Sequence, residues 1–154
     1  MQRYSWVLFF AALVIALSGM KTPAHSAPLS AELQKALDTS KYVYIQSTRK
    51  DGKPSKAAEI WFMHYKGAVW VCSPVATYRV KRIQAGQTKA KIAVGKSDGP
   101  SFTAKGSVVK DAEVDKVLFE TYAKKYTDDW SSYEKNFRDG LTNGSRTVIK
   151  YEPE

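Results

Sequence analysis

Residues 42–73 read YVYIQSTRKDGKPSKAAEIWFMHYKGAVWVCS, apolar runs divided by two turn signals. Tyr42 to Thr48 alternates, with Val43, Ile45 and Ser47 on one side and Tyr42, Tyr44, Gln46 and Thr48 on the other, the period of two of a half-buried strand. Arg49-Lys50-Asp51-Gly52-Lys53-Pro54 then ends the strand, because Gly and Pro at these offsets favour a turn. Ala57 to Tyr65 is rich in aromatic residues, Lys66-Gly67 separates it from Val69 to Ser73, and Pro74 stops the last run. The stretch predicts three strands in a meander.

Downstream, Thr77 to Ala85 reads as a short basic helix closed by Gly86. Lys91 to Gly95 and Phe102 to Lys110 read as two more strands, joined around Ser97-Asp98-Gly99-Pro100. Asp111 is placed to cap a helix in which Val114, Val117, Leu118, Thr121, Tyr122 and Lys125 recur at helical spacing. A looser helix, Trp130 to Arg138, ends near Gly140, and Arg146 to Tyr151 is a final strand. Six short strands without a helix after each one argue against a parallel sheet. A mainly β fold, a small antiparallel barrel with short flanking helices, removes the exposed edges that such strands otherwise carry.

Upstream, residues 1–26 have the anatomy of a signal peptide. Arg3 is followed by an apolar run from Trp6 to Leu17, a break at Ser18-Gly19, and Ala24 and Ser26 at the positions a signal peptidase reads. The run is shorter than the roughly 20 residues that span a bilayer. The sequence therefore predicts an exported protein, periplasmic or extracellular, with an uncleaved N-terminal membrane anchor as the alternative. Residues 27–41 supply a helix, Ser30 to Leu37, and a linker, leaving 42–154 as one domain. Loss of Arg3 and Lys21 with the leader lowers the net charge from +9 to +7, and the basic residues scattered over the remainder favour anionic partners. Cys72 is the only cysteine, so no internal disulfide forms, and it reads as a small buried hydrophobe.

The segment that can carry chemistry is Ser73-Pro-Val-Ala-Thr77-Tyr-Arg79-Val-Lys81-Arg82. It puts one hydroxyl at a strand end, a second at a helix N-cap, and three cations within the next turn and a half. Free backbone N–H groups, hydroxyls and cations together suit a phosphate, and a solvated basic helix with an ordinary Thr cap is the competing reading. A ring attached to that phosphate would reach towards Ile60, Trp61 and Phe62.

From Tyr42 to Tyr151 the chain resembles the split-barrel superfamily of pyridoxamine 5'-phosphate oxidases and flavin- or deazaflavin-dependent reductases. The resemblance rests on the Thr48–Pro54 turn, Ile60-Trp61-Phe62, the Gly67 turn, the strand Val69 to Ser73, Thr77 to Ile83, Gly106, and the helix ending Lys125-Tyr126. The oxidases' phosphate run has Thr-Asn, two variable residues, then Ser, a variable residue and Lys. Ser73 matches the Thr, Thr77 the Ser and Arg79 the Lys, while Pro74 replaces the Asn. Ala57 and Ala58 stand where oxidases use an Arg, and their late Arg-x-His pair is missing, so oxidation of pyridoxamine phosphate itself is not expected. Trp61-Phe62 is more similar to the reductase branch, which implies FMN, or a deazaflavin, bound by Ile60, Trp61, Phe62, Ser73, Thr77, Arg79, Lys81 and Arg82 at a homodimer interface. Hydride transfer to a small molecule is the implied activity, with the cofactor supplying the chemistry. Arg3 has no twin partner, so export would proceed unfolded and the cofactor would load outside the cytoplasm.

A different class is also open: a non-catalytic module that binds haem, or no cofactor. A haem-binding relative makes His64 a conceivable axial ligand, against the bland reading of a structural strand histidine. One His and one Cys after the leader do not make a closed metal site. Trp61, Trp70 and the tyrosines interleave with lysines as in single-strand nucleic-acid binders, but export argues against that partner. Glu120 and Asp128-Asp129 read as surface charge.

Overall fold

The computed structural model describes residues 28 to 154; the leader reading falls on residues outside those described. The order is α1 (Ala31–Thr39), β1 (Val43–Ser47), β2 (Ala58–Ile60), β3 (Met63–Tyr65), β4 (Ala68–Pro74), α2 (Tyr78–Gln84), β5 (Lys89–Val94), β6 (Ser101–Val109), α3 (Ala112–Lys125), α4 (Thr127–Thr142) and β7 (Arg146–Pro153). The strands form one antiparallel sheet in the order β2-β1-β5-β6-β7-β4-β3. Only Trp61 and Phe62 separate β2 at one edge from β3 at the other, so the sheet curls into a half-barrel. The architecture is mainly β with four flanking helices. Among the described residues no helix is long and apolar enough to cross a membrane.

The predicted single strand Ala57 to Tyr65 is two strands, and the three-strand meander is not formed. β2 pairs with β1, whereas β3 pairs with β4 on the far side. The backbone between them bonds to side chains instead of a ladder. The Tyr126 hydroxyl accepts from the Phe62 N–H at 2.8 Å and donates to the Lys41 carbonyl at 2.9 Å. The Tyr122 hydroxyl donates to the Trp61 carbonyl at 2.9 Å. Two tyrosines of the α3 end thus hold the turn on which closure depends.

Alternation separates two cores. Val43, Ile45, Val71, Ile92 and Ile149 point into the half-barrel with Phe62 and Val80. Trp70, Cys72 and Val148 point out of it, beneath Leu118, Phe119 and Tyr122 of α3 and Trp130 and Phe137 of α4. β4 is therefore buried on both faces, and Cys72 is the small buried hydrophobe expected of it. Asp111 caps α3, its carboxylate accepting from the N–H groups of Glu113 and Val114. α4 ends at Thr142, near Gly140 as expected, but the glycine itself lies within the helix. A Cβ at this position would lie 2.6 Å from Arg146 Cδ, so the glycine is needed for close approach to β7, not for termination.

Candidate functional site

α2 lies over the end of the half-barrel, with Val80 buried and Ile83 against Gly106 of β6. A Cβ at Gly106 would sit 2.8 Å from both Ile83 Cδ1 and Tyr151 Cε1, so the missing side chain lets the helix settle on the sheet. That seating fixes Arg79 and Arg82, each of which bonds a serine at a strand end. Arg79 donates to Ser73 Oγ at 3.1 Å, and Arg82 donates to Ser47 Oγ at 2.7 Å. Both serines are buried.

A cavity of about 480 Å³ opens beside this helix, lined on one side by Ser73, Thr77 and Arg79 and on the other by Ile60, Trp61 and Tyr133. The structure therefore brings together five of the eight residues expected to bind a cofactor. Thr77 and Arg79 also line a neighbouring cavity of about 450 Å³ with Ser47, Lys56 and Arg82. Lys81 lines a third cavity, of about 570 Å³, with Lys50, Tyr78 and Arg82. Lys81 is thus not part of the Ser73 and Arg79 cluster; its ammonium lies over the Tyr78 ring instead. Phe62 faces the half-barrel core, fully buried, with Lys125 Nζ against its ring, and cannot meet a ligand in the cavity. Its neighbour Trp61 does reach the cavity, though Tyr126 and Phe137 both lie parallel to its indole, at 4.2 and 5.9 Å between ring centres. Trp61 is therefore a rigid wall.

Thr77 occupies the predicted N-cap position but caps nothing, since its hydroxyl proton goes to the Pro74 carbonyl at 2.9 Å. α2 has only seven residues. The anion-binding capacity of the site rests on the arginines. Arg79 is the important one: burial pulls its pKa down, the nearest counter-effect comes from the Tyr151 hydroxyl, and no carboxylate offsets it. Arginine stays charged at any ordinary pH. A mostly buried cation held by one neutral serine is short of an anion. The Tyr151 hydroxyl near it is buried and has no hydrogen-bond partner, and burial pushes its pKa up to about 12, so it remains a neutral donor. A phosphate fits this environment, because it supplies both charge and acceptors.

The sequence reading missed Glu59, Tyr133 and Phe137 of the cavity wall, and with them Arg146, Asp129 and Cys72. Arg146, at the start of β7, stacks over Phe137 at 4.3 Å and donates to Asn136 Oδ1 at 2.8 Å. Asp129, read as surface charge, faces the same cavity, as does Cys72. Burial pushes the Cys72 thiol up to about 12, so it is not a nucleophile. Helical glycine at 140 before an Arg-initiated strand was the available signal for Arg146.

His64 lies elsewhere. Its Nδ1 is 2.9 Å from Asp38 Oδ1, and its Nε2 is buried without a partner beside a cavity of about 370 Å³ lined by Leu29, Lys66 and Glu152. Among the described residues no group of three or more His, Cys, Asp or Glu is gathered for a metal ion.

The chain superposes on solved structures of low sequence identity. A conserved hypothetical protein, Rv2991 from Mycobacterium tuberculosis, is 12% identical with TM-score 0.62 over 86% of each chain. A putative pyridoxamine 5'-phosphate oxidase from Listeria innocua is 17% identical with TM-score 0.57, over 80% of this chain and 91% of that one. It has the split-barrel fold of these proteins. The haem storage protein HutZ from Vibrio cholerae shares that split barrel, at 15% identity and TM-score 0.57 over 82% of this chain and 90% of that one. Neither a family model nor a curated protein sequence matches the chain.

Proposed function

We propose that this split barrel is an exported flavoprotein that binds FMN, or a phosphate-bearing flavin of the same kind, and passes hydride to a small molecule. The observation that carries the reading is Arg79: a largely buried guanidinium bonded only to Ser73, beside an orphaned hydroxyl, at one end of a cavity whose other end is aromatic. Ser73 orients the guanidinium, Arg79 takes the phosphate, and Ile60 and Trp61 wall the cavity and exclude water from one side of the ring. The flavin supplies the hydride chemistry when bound. The resemblance to split-barrel oxidases and reductases supports a homodimer with the cofactor between subunits, and the leader supports loading outside the cytoplasm.

A haem-binding module without turnover is the second reading. His64 favours it, since an imidazole whose Nδ1 meets a carboxylate and whose Nε2 is free has the arrangement of an oriented metal ligand. An absorption spectrum of protein isolated from its own compartment separates the two. Flavin bands near the visible–ultraviolet boundary are expected; a Soret band would replace the flavin reading with haem, and a spectrum that stays blank after incubation with FMN and, separately, with haemin, each followed by removal of unbound ligand, would remove both.

A further inference from the structure

The cationic surface does not stop at Arg79. The three cavities along α2 adjoin one another, with Thr77 and Arg79 lining both of the first two and Arg49, Tyr78 and Arg82 lining both the second and third. Arg79 and Arg82 are three residues apart, so they sit on one helix face about 4.5 Å apart along the axis. Beyond them the third cavity carries Lys50 and Lys81, neither of which pairs with a carboxylate among the described residues. Asp51 is the one acid on that wall, and Arg49 already engages it at 2.7 Å. Tyr78 stands in the middle, 74% exposed, an unusual setting for a large aromatic ring. Lys81 Nζ and Arg82 Cζ lie 5.8 and 5.5 Å from the centre of its ring.

A single phosphate at Arg79 leaves this second cluster unused. We infer that the ligand continues past its first phosphate along α2, carrying a second anionic group to Arg82, Lys81 and Lys50 and a second ring to Tyr78, as a flavin dinucleotide does. This rests on the flavin reading above and adds the chemical class of the ligand's far end. The Tyr78 ring offers a face for stacking, and the cations near it match a diphosphate.

The test is titration of the purified protein with riboflavin, FMN and FAD. FAD is expected to bind at least tenfold more tightly than FMN. Tyr78→Ala, and separately Lys50→Ala with Lys81→Ala, are expected to bring FAD down to the FMN value while leaving FMN itself unchanged. These side chains lie at the surface, and a far-ultraviolet spectrum confirms folding. AMP, which is the part of FAD beyond the FMN phosphate, is expected to displace FAD but not FMN; an acidic oligopeptide that displaces FAD as well as AMP does would overturn the ring at Tyr78. Equal affinities for FMN and FAD would overturn the inference and leave the flavin reading standing. Failure of all three flavins to bind overturns that reading, and this one with it.

Discussion

Tyr126→Phe removes one oxygen atom from the point where the half-barrel closes. The residue is fully buried, and its hydroxyl is the partner of the Phe62 N–H, itself in a residue with no exposed surface. Phenylalanine keeps the ring and therefore the stacking on Trp61 at 4.2 Å, so the change isolates the hydrogen bonds. The Phe62 N–H is then left without an acceptor, at about 1–3 kcal/mol, and the bond to the Lys41 carbonyl, at an exposed residue that water can reach, adds about 1 kcal/mol. The expected loss is about 2–4 kcal/mol, a shift of about 1–2 M in the urea midpoint at the slope of a small domain. Urea unfolding followed by tryptophan fluorescence measures it, with the exposed Tyr133→Phe as a control expected to move the midpoint little. A loss below about 0.5 kcal/mol would refute the claim that this hydroxyl holds the turn between β2 and β3.

Other expectations follow from the same packing. Gly106→Ala forces Ile83 and Tyr151 aside, since its Cβ would lie 2.8 Å from each, costing about 1–3 kcal/mol and lifting α2 enough to weaken FMN binding; calorimetry reads both effects. Lys125 is partly buried, and desolvation pulls its ammonium from 10.5 down to about 8. The unfolded chain then holds a proton that the folded chain has released, so stability rises from pH 8 to pH 10. Above pH 10 the trend reverses, because unfolding lets Tyr151 ionise while burial holds it neutral to about 12. The gain is on the order of 1 kcal/mol after allowance for solvent screening, and Lys125→Met is expected to flatten the rise in unfolding curves at pH 8 and 9.5. Cys72 is expected to resist iodoacetamide at pH 8 in the folded protein and to react promptly in denaturant, as followed by mass spectrometry.

Much of the split barrel was legible because alternation is a local property. Val43, Ile45 and Ser47 are buried on one face of β1, as their spacing predicted, and Asp111 caps α3. The division of Ala57 to Tyr65 was not legible, because what breaks it is the pair of hydroxyls of Tyr122 and Tyr126, about sixty residues away in sequence. The end of α4 near Gly140 was legible, but the reason for the glycine was not: Arg146 occupies the space its side chain would take. At the candidate site the cluster of Ser73, Thr77 and Arg79 was visible from spacing. The roles within it were not, since the Thr77 proton is spent on Pro74 and Lys81 turns to Tyr78. The separation of Phe62 from Trp61 was equally hidden, because neighbours on a bent segment face opposite cores.

The flavin account depends on Arg79 meeting a phosphate, and comparing FMN with riboflavin isolates that contact. One charge-assisted bond to a buried guanidinium is worth about 1.5–3 kcal/mol, or about ten- to a hundredfold in affinity. Fluorescence titration of the purified protein is expected to show FMN binding more tightly than riboflavin by that margin, with Arg79→Ala abolishing the difference and leaving riboflavin unchanged. Equal binding of FMN and riboflavin by the unaltered protein, or a preference for FMN that survives Arg79→Ala, would contradict it.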